Sequence, residues 1–198
     1  ERKVAGAQQA ASARLTELLK HHLLQRRADD QIEFRHQLIQ EYYAAERLKR
    51  CLPDLFVDKE ALKKEYLNYL KWTEPLKLVL ELMDETSSEQ VLGLVDMAFA
   101  IDLQLGAKLA GSVVAGQQSE AVGKVKSFGL SPLPEIYLLN LTKSKAAIPR
   151  LLKALEDENS DVRWRAAESL GKLGSDAVIP GLLKALEHEA PDVRWRAA

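Results

Sequence analysis

Two stretches of this 198-residue chain are nearly the same sequence. Residues 148–167 read IPRLLKALEDENSDVRWRAA and residues 179–198 read IPGLLKALEHEAPDVRWRAA, an offset of 31 residues with 16 of 20 positions identical. A period of about 30 residues containing two helical patterns constrains the fold to stacked helix pairs. One such unit cannot bury its own apolar face, so neighbouring units must cover one another in an α-solenoid.

Each unit divides into two helices. Ile148, Leu151, Leu152 and Leu155 fall at i, i+3, i+4 and i+7, one face of a first helix, and Ile179, Leu182, Leu183 and Leu186 repeat that face. Val162, Ala166, Leu170 and Leu173 form the stripe of a second helix, which Gly171 and Gly174 are expected to close. Asp161 and Asp192 fall in the first turn of their helices, where the positive end of the dipole favours them, and Pro191 suits a position whose N–H has no partner.

The Ile-Pro-x-Leu-Leu-Lys-Ala-Leu run, the Asp-Val-Arg triplet and the Ala-Ala…Leu-Gly-Lys-Leu-Gly run resemble HEAT repeats, of the short bacterial type known from phycobilisome lyases, over residues 146–198. The resemblance implies that Asp161, Arg163, Asp192 and Arg194 form ladders between units. Trp164 lies about 200° round the helix from Val162, at about 100° per residue, and is expected to point away from the core. Trp164 and Arg165, repeated as Trp195 and Arg196, are therefore the candidate partner-binding strip, because Trp and Arg are favoured interface anchors. The competing assignment packs Trp164 on a neighbouring unit and pairs Arg165 with nearby carboxylates. Residues 147–198 carry 8 basic and 9 acidic side chains, a balance unlike that of a nucleic-acid groove.

At the other end, residues 1–20 are Ala-rich and helical in pattern. Leu23-Leu24-Gln25-Arg26-Arg27 and Ile32-Glu33-Phe34-Arg35 flank the polar Ala28-Asp29-Asp30-Gln31, which predicts a β-hairpin. A helix over 36–50 is expected to bury Leu38, Tyr42, Ala45 and Leu48, with Leu52-Pro53-Asp54 breaking it. Helix, hairpin and helix is the order that closes a winged-helix domain. Phe34, His36, Gln40, Glu41, Tyr42, Ala44 and Ala45 also match the F-x-H-x-x-x-Q-E-Y/F-x-A-A pattern, so residues 13–50 resemble the end of the winged-helix part of NACHT-class signal-transducing NTPases. That resemblance implies that His36 contacts the phosphates of bound ADP and is the nucleotide-sensing residue, with ADP or ATP held by an upstream domain in cis. The position also has a physical basis, since a helix N-terminus attracts anions and an imidazole there can donate to a phosphate.

The middle, residues 52–145, reads as irregular helical pairs or degenerate repeats between the winged-helix end (1–51) and the regular units (146–198). Thr73 is the expected cap of a helix with Pro75 in its first turn and Leu76, Val79, Leu80 and Met83 as its stripe. Ser87 or Ser88 precedes a helix aligning Val91, Val95 and Ala98, and Leu105, Leu109 and Val113 mark another. Gly111, Gly116, Gly123 and Gly129 are expected to interrupt the chain beyond it. Ser131-Pro132-Leu133-Pro134 reads as a loop before a short helix over 136–141.

The expected fold is thus mainly α: an α-α superhelix after one short hairpin. Formal net charge is -1, with 28 Lys plus Arg against 29 Asp plus Glu, giving no sequence-wide attraction to nucleic acid or acidic lipid. The single Cys51 excludes an internal disulfide framework and a cysteine-based zinc site within this chain. Adjacent His21 and His22 would splay about 100° apart on a helix, and no spacing matches a metal site, a catalytic triad or a phosphate-binding G-x-x-x-x-G-K-[ST] loop. No catalytic residue, metal or cofactor is expected in this chain. The missing initiator Met and the stop inside the second unit are read as signs of a piece of a longer protein; the single thiol fits a reducing cytosol, and the family resemblance implies a bacterial setting. The expected role is a regulatory, protein-interaction segment that couples a HEAT sensor to a nucleotide switch. The alternative is a stand-alone HEAT scaffold or phycobilin-lyase-like protein.

Overall fold

Helix formation follows the apolar spacing along most of the chain, and the computed structural model describes residues 2–83, 87–174, 178–179 and 183. Helix α1 (Arg2–Lys20) leads into the antiparallel strands β1 (Leu24–Arg26) and β2 (Ile32–Phe34), with Leu24 opposite Phe34, Gln25 opposite Glu33 and Arg26 opposite Ile32. The expected turn closes the hairpin. Asp30 takes a left-handed φ of 63°, which aspartate tolerates better than most residues, and Asp29 Oδ1 accepts the Gln31 N–H at 3.3 Å.

Helix α2 (Gln37–Val57) departs from its expected outline at both ends. It begins one residue after His36, and it continues through Pro53. An interior proline costs about 3 kcal/mol through its lost N–H and ring clash. Leu52 is buried and Leu55 and Phe56 pack against the core. At about 1.5–3 kcal/mol for each large apolar side chain fully buried, and less for a partly covered one, their packing offsets that cost. Of the four residues expected on its buried face, Ala45 and Leu48 are buried, but Leu38 is 78% and Tyr42 44% exposed. Leu38 shares the stripe of Ala45 but lies two turns closer to the N-terminus, beyond the part of α2 that the core covers.

A one-turn helix α3 (Lys59–Leu62), capped by the Asp58 carboxylate on the Ala61 N–H at 3.0 Å, runs into a π-helical turn (Lys63–Leu67) and a 3-10 turn (Leu70–Trp72). Next come α4 (Thr73–Leu82), α5 (Ser88–Ile101), α6 (Leu103–Gly111), α7 (Ala115–Ser127), α8 (Pro132–Thr142), α9 (Ile148–Ala154) and α10 (Ser160–Leu173). The expected stripes of α4 and α5 are buried, from Leu76 to Met83 and from Val91 to Ala98. Thr73 is the first helical residue rather than the cap, which is Trp72.

Three glycines and two prolines act differently from expectation. Gly116 and Gly123 lie inside α7, and Gly171 inside α10; only Gly111, Gly129 and Gly174 stand at helix ends. Pro132 and Pro134 do not form a loop but the first turn of α8, where N–H groups have no intrahelical acceptor.

Packing alternates along the chain. Helix α2 packs on α4, α4 on α6, α6 on α8 and α8 on α10, forming one layer. The π turn packs on α5, α5 on α7, and α7 on the 3-10 turn (Lys145–Ala147) that opens α9, forming the other. This is an α-α superhelix, and its stacking starts well upstream of the sequence repeat. One continuous apolar core runs from Ala45 to Val178.

Candidate functional site

On α10 the stripe Val162, Ala166 and Leu170 is buried, which turns the intervening positions towards solvent. Trp164 is half-buried. The Arg165 guanidinium carbon lies 4.6 Å from the Trp164 ring centroid, within cation–π range, while its Nη1 reaches Glu168 Oε2 at 3.2 Å. Lys172 Nζ meets the other oxygen of Glu168 at 3.1 Å. Those contacts, the Lys172 hydrogen bond foremost and Arg165 after it, hold the Glu168 carboxyl below the usual carboxylate range, against its partial burial. The result is an ordered row of Arg165, Glu168 and Lys172 beside a tryptophan. The pairing of Arg165 with a local carboxylate and the partly covered Trp164 combine features of both assignments made from the sequence. Trp195 and Arg196 lie outside the described residues.

Arg163 donates to the backbone carbonyls of Asp157 and Glu158 at 3.0 and 2.9 Å, closing the turn of its own unit. The side chain that caps α10 is Asn159, accepting the Asp161 N–H at 2.9 Å. Asp192 and Arg194, the other rungs of the expected ladder, lie outside the described residues.

His36 is the N-cap residue of α2. Its backbone is extended (φ -127°, ψ 129°), its carbonyl accepts from the Ile39 and Gln40 N–H groups, and its imidazole makes no capping bond. The ring is therefore on an exposed helix start. The flanking motif residues have a shared location. Phe34 stacks on Tyr43 with centroids 5.9 Å apart, and Gln37 donates to Glu41 at 2.6 Å. Phe34, Gln40, Glu41 and Ala44 form one wall of a cleft of about 550 Å³, with Leu70, Trp72 and Pro75 opposite; His36 is not among the lining residues. Sequence reasoning missed this cleft because its far wall comes from the 3-10 turn and the start of α4, some thirty residues downstream.

A second feature went unread as well. Glu135 on α8 is buried and meets Arg150 on α9 through two bonds, Nε to Oε1 at 2.7 Å and Nη2 to Oε2 at 2.9 Å. The pair holds the guanidinium above its ordinary value, the Glu135 hydrogen bond outweighing burial. The one available signal was the mismatch of the repeat at this position, where Gly181 stands in place of Arg150.

Among the described residues no helix is long and apolar enough to cross a membrane, and no group of three or more His, Cys, Asp or Glu is placed to hold a metal ion. The geometry defines a class: a superhelix of stacked helix pairs presenting side-chain rows on its surface. Residues 136–198 match the family model described as HEAT repeats, so the chain contains HEAT repeats from within α8 onwards. No curated protein matches the chain. Repeats of this kind commonly mediate protein interaction, and an interaction scaffold is the coarse function the match supports.

Proposed function

We propose that the chain is a non-catalytic regulatory segment of a NACHT-type signal-transducing NTPase, joining a nucleotide switch to a HEAT-repeat sensor. The observation that carries this reading is the double membership of α2. Its first two turns carry Gln40, Glu41 and Tyr42 of the motif that resembles the NACHT winged-helix end and lie outside the core, with Leu38 and Tyr42 exposed, while the motif's last residue, Ala45, is already buried. Its later turns, through Leu48 and Leu52, are built into the superhelix against α4. A helix is stiff over such a length, so a change of docking at its start is felt by the stack. A ligand on the solenoid shifts that balance only if it binds the two switch states with different affinity.

In this reading His36 contacts ADP held by an upstream domain, and Trp164 and Arg165, with Trp195 and Arg196, meet a protein partner. The protein works in the cytoplasm. In the full-length protein His36→Ala is expected to weaken ADP retention, measured by nucleotide release from the purified protein. Unchanged release and an unchanged activation threshold would remove His36 from the site. Trp164→Ala is expected to weaken partner binding by at least ~2 kcal/mol, the size of an interface hot spot, read by calorimetry once the partner is identified. The second reading, a stand-alone HEAT scaffold, draws support from a core that, among the described residues, includes none of α1 or the hairpin. The upstream coding sequence separates the two: a phosphate-binding loop there supports the first, and an initiator Met immediately before Glu1 supports the second.

A further inference from the structure

The join between the upstream helix pairs and the first sequence-regular unit lies between α8 and α9. Residues 143–147 connect α8 to α9, with Lys143 at a left-handed φ of 52° and a 3-10 turn behind it. Helix α9 is short, seven residues, and within it only Ile148 and Leu151 are buried. Leu152 and Ala154 also pack on the core, but α9 rests more on α10 than on α8, which leaves its angle to α8 to fewer contacts. Two polar contacts act across that join. The first is the two-bonded pair of Glu135 and Arg150. The second is Ser144 Oγ, which donates to Gln118 Oε1 on α7 at 2.6 Å while Gln118 Nε2 donates to the Val113 carbonyl at 3.0 Å.

We infer that the Glu135–Arg150 pair, seconded by Gln118 and Ser144, is a latch that sets the angle at which the HEAT units leave the upstream stack. Three facts support this over a merely stabilising bridge. The two planar bonds fix orientation as well as distance, which a single contact does not. The carboxylate is nearly covered (12% side-chain exposure) while the guanidinium is 41% exposed on the edge of a cleft of about 370 Å³, so opening the pair strands a buried charge and has a strongly preferred closed state. The arginine also occurs at this join and not at the equivalent position of the next unit, Gly181. A general packing device would be repeated with the rest of the motif; a device for one joint would not. The latch stands whether or not an NTPase domain lies upstream.

The test uses the whole chain with Cys51→Ser, carrying nitroxides at Gly123→Cys on α7 and Gly171→Cys on α10, two helical positions where an added Cβ meets nothing within 4 Å. The distance distribution between the labels is expected to be narrow in the parent. It should broaden and gain a second distance in Glu135→Gln and in Arg150→Lys, which keeps the charge but loses the fork, and return towards the parent in the charge-exchanged pair Glu135→Arg with Arg150→Glu. Ser144→Ala should broaden it less. A parent-like distribution in Arg150→Lys and Ser144→Ala, with only the melting temperature lowered, overturns the latch. Should Glu135→Gln fail to fold, those two variants decide the matter alone.

Discussion

Glu168 has two cationic neighbours on its own helix, and its lowered carboxyl pKa makes a signed prediction. A group whose folded pKa lies below its unfolded one adds stability above the unfolded value and loses it as pH falls through the folded value. Glu168→Gln should therefore melt at a lower temperature than the parent at pH 7, and the gap should close as the solution is acidified through the carboxylate range. Added salt should shrink the gap at neutral pH, because the row is partly exposed and screened. Glycines offer a second contrast. A Cβ at Gly111 would collide with the Thr142 backbone carbonyl, which cannot move aside, whereas one at Gly123 meets nothing. Gly111→Ala is expected to cost about 1–3 kcal/mol by overpacking, while Gly123→Ala should gain up to about 1 kcal/mol from helix propensity; urea unfolding measures both. The sequence marks all of these as glycines in a broken region. What separates them is the approach of α6 to α8, a tertiary fact with no local trace.

Secondary structure was readable where apolar residues recur at helical spacing. The stripes of α4, α5, α9 and α10 and the hairpin with its polar turn all stand where the spacing puts them. Proline misled in both directions. Pro53 signals a stop by local chemistry, yet the packing of Leu52, Leu55 and Phe56 carries α2 past it. Pro132 and Pro134 signal a loop, yet a first turn has no use for their missing N–H groups. Exposed Pro53→Ala should thus stabilise the chain by roughly 1–3 kcal/mol, part of the intrinsic proline penalty, seen as a raised denaturant midpoint. A drop would mean that a bend in α2 at this point is required by its packing on α4. The face of α2 was half legible: Ala45 and Leu48 obey the periodicity, while Leu38 and Tyr42 fail because periodicity tells direction and not how far the neighbouring helices reach.

Across the molecule, one core extends from Ala45 to Val178, while no residue before Ala45 whose burial is described is buried. Amide exchange should show this as two regimes. The helices from α4 to α8 are expected to exchange together at the slow limit, and α1 and the hairpin orders of magnitude faster; equal protection of both would contradict it. Trp164 and Arg165 stood out as candidates because a tryptophan and an arginine recur at a fixed interval, whereas Glu168 and Lys172, which complete the row on α10, did not. The α2 cleft and the Glu135–Arg150 pair were not foreseen, because each joins residues that only the stacking brings together. The place of α2 in both parts has a practical corollary for anyone dissecting the chain. A fragment expressed from residue 58 loses the cover over α4 and should come out as sticky, aggregating material, whereas one expressed from residue 36 keeps that lid and should remain in solution. The natural seam for cutting lies ahead of α2, not behind it.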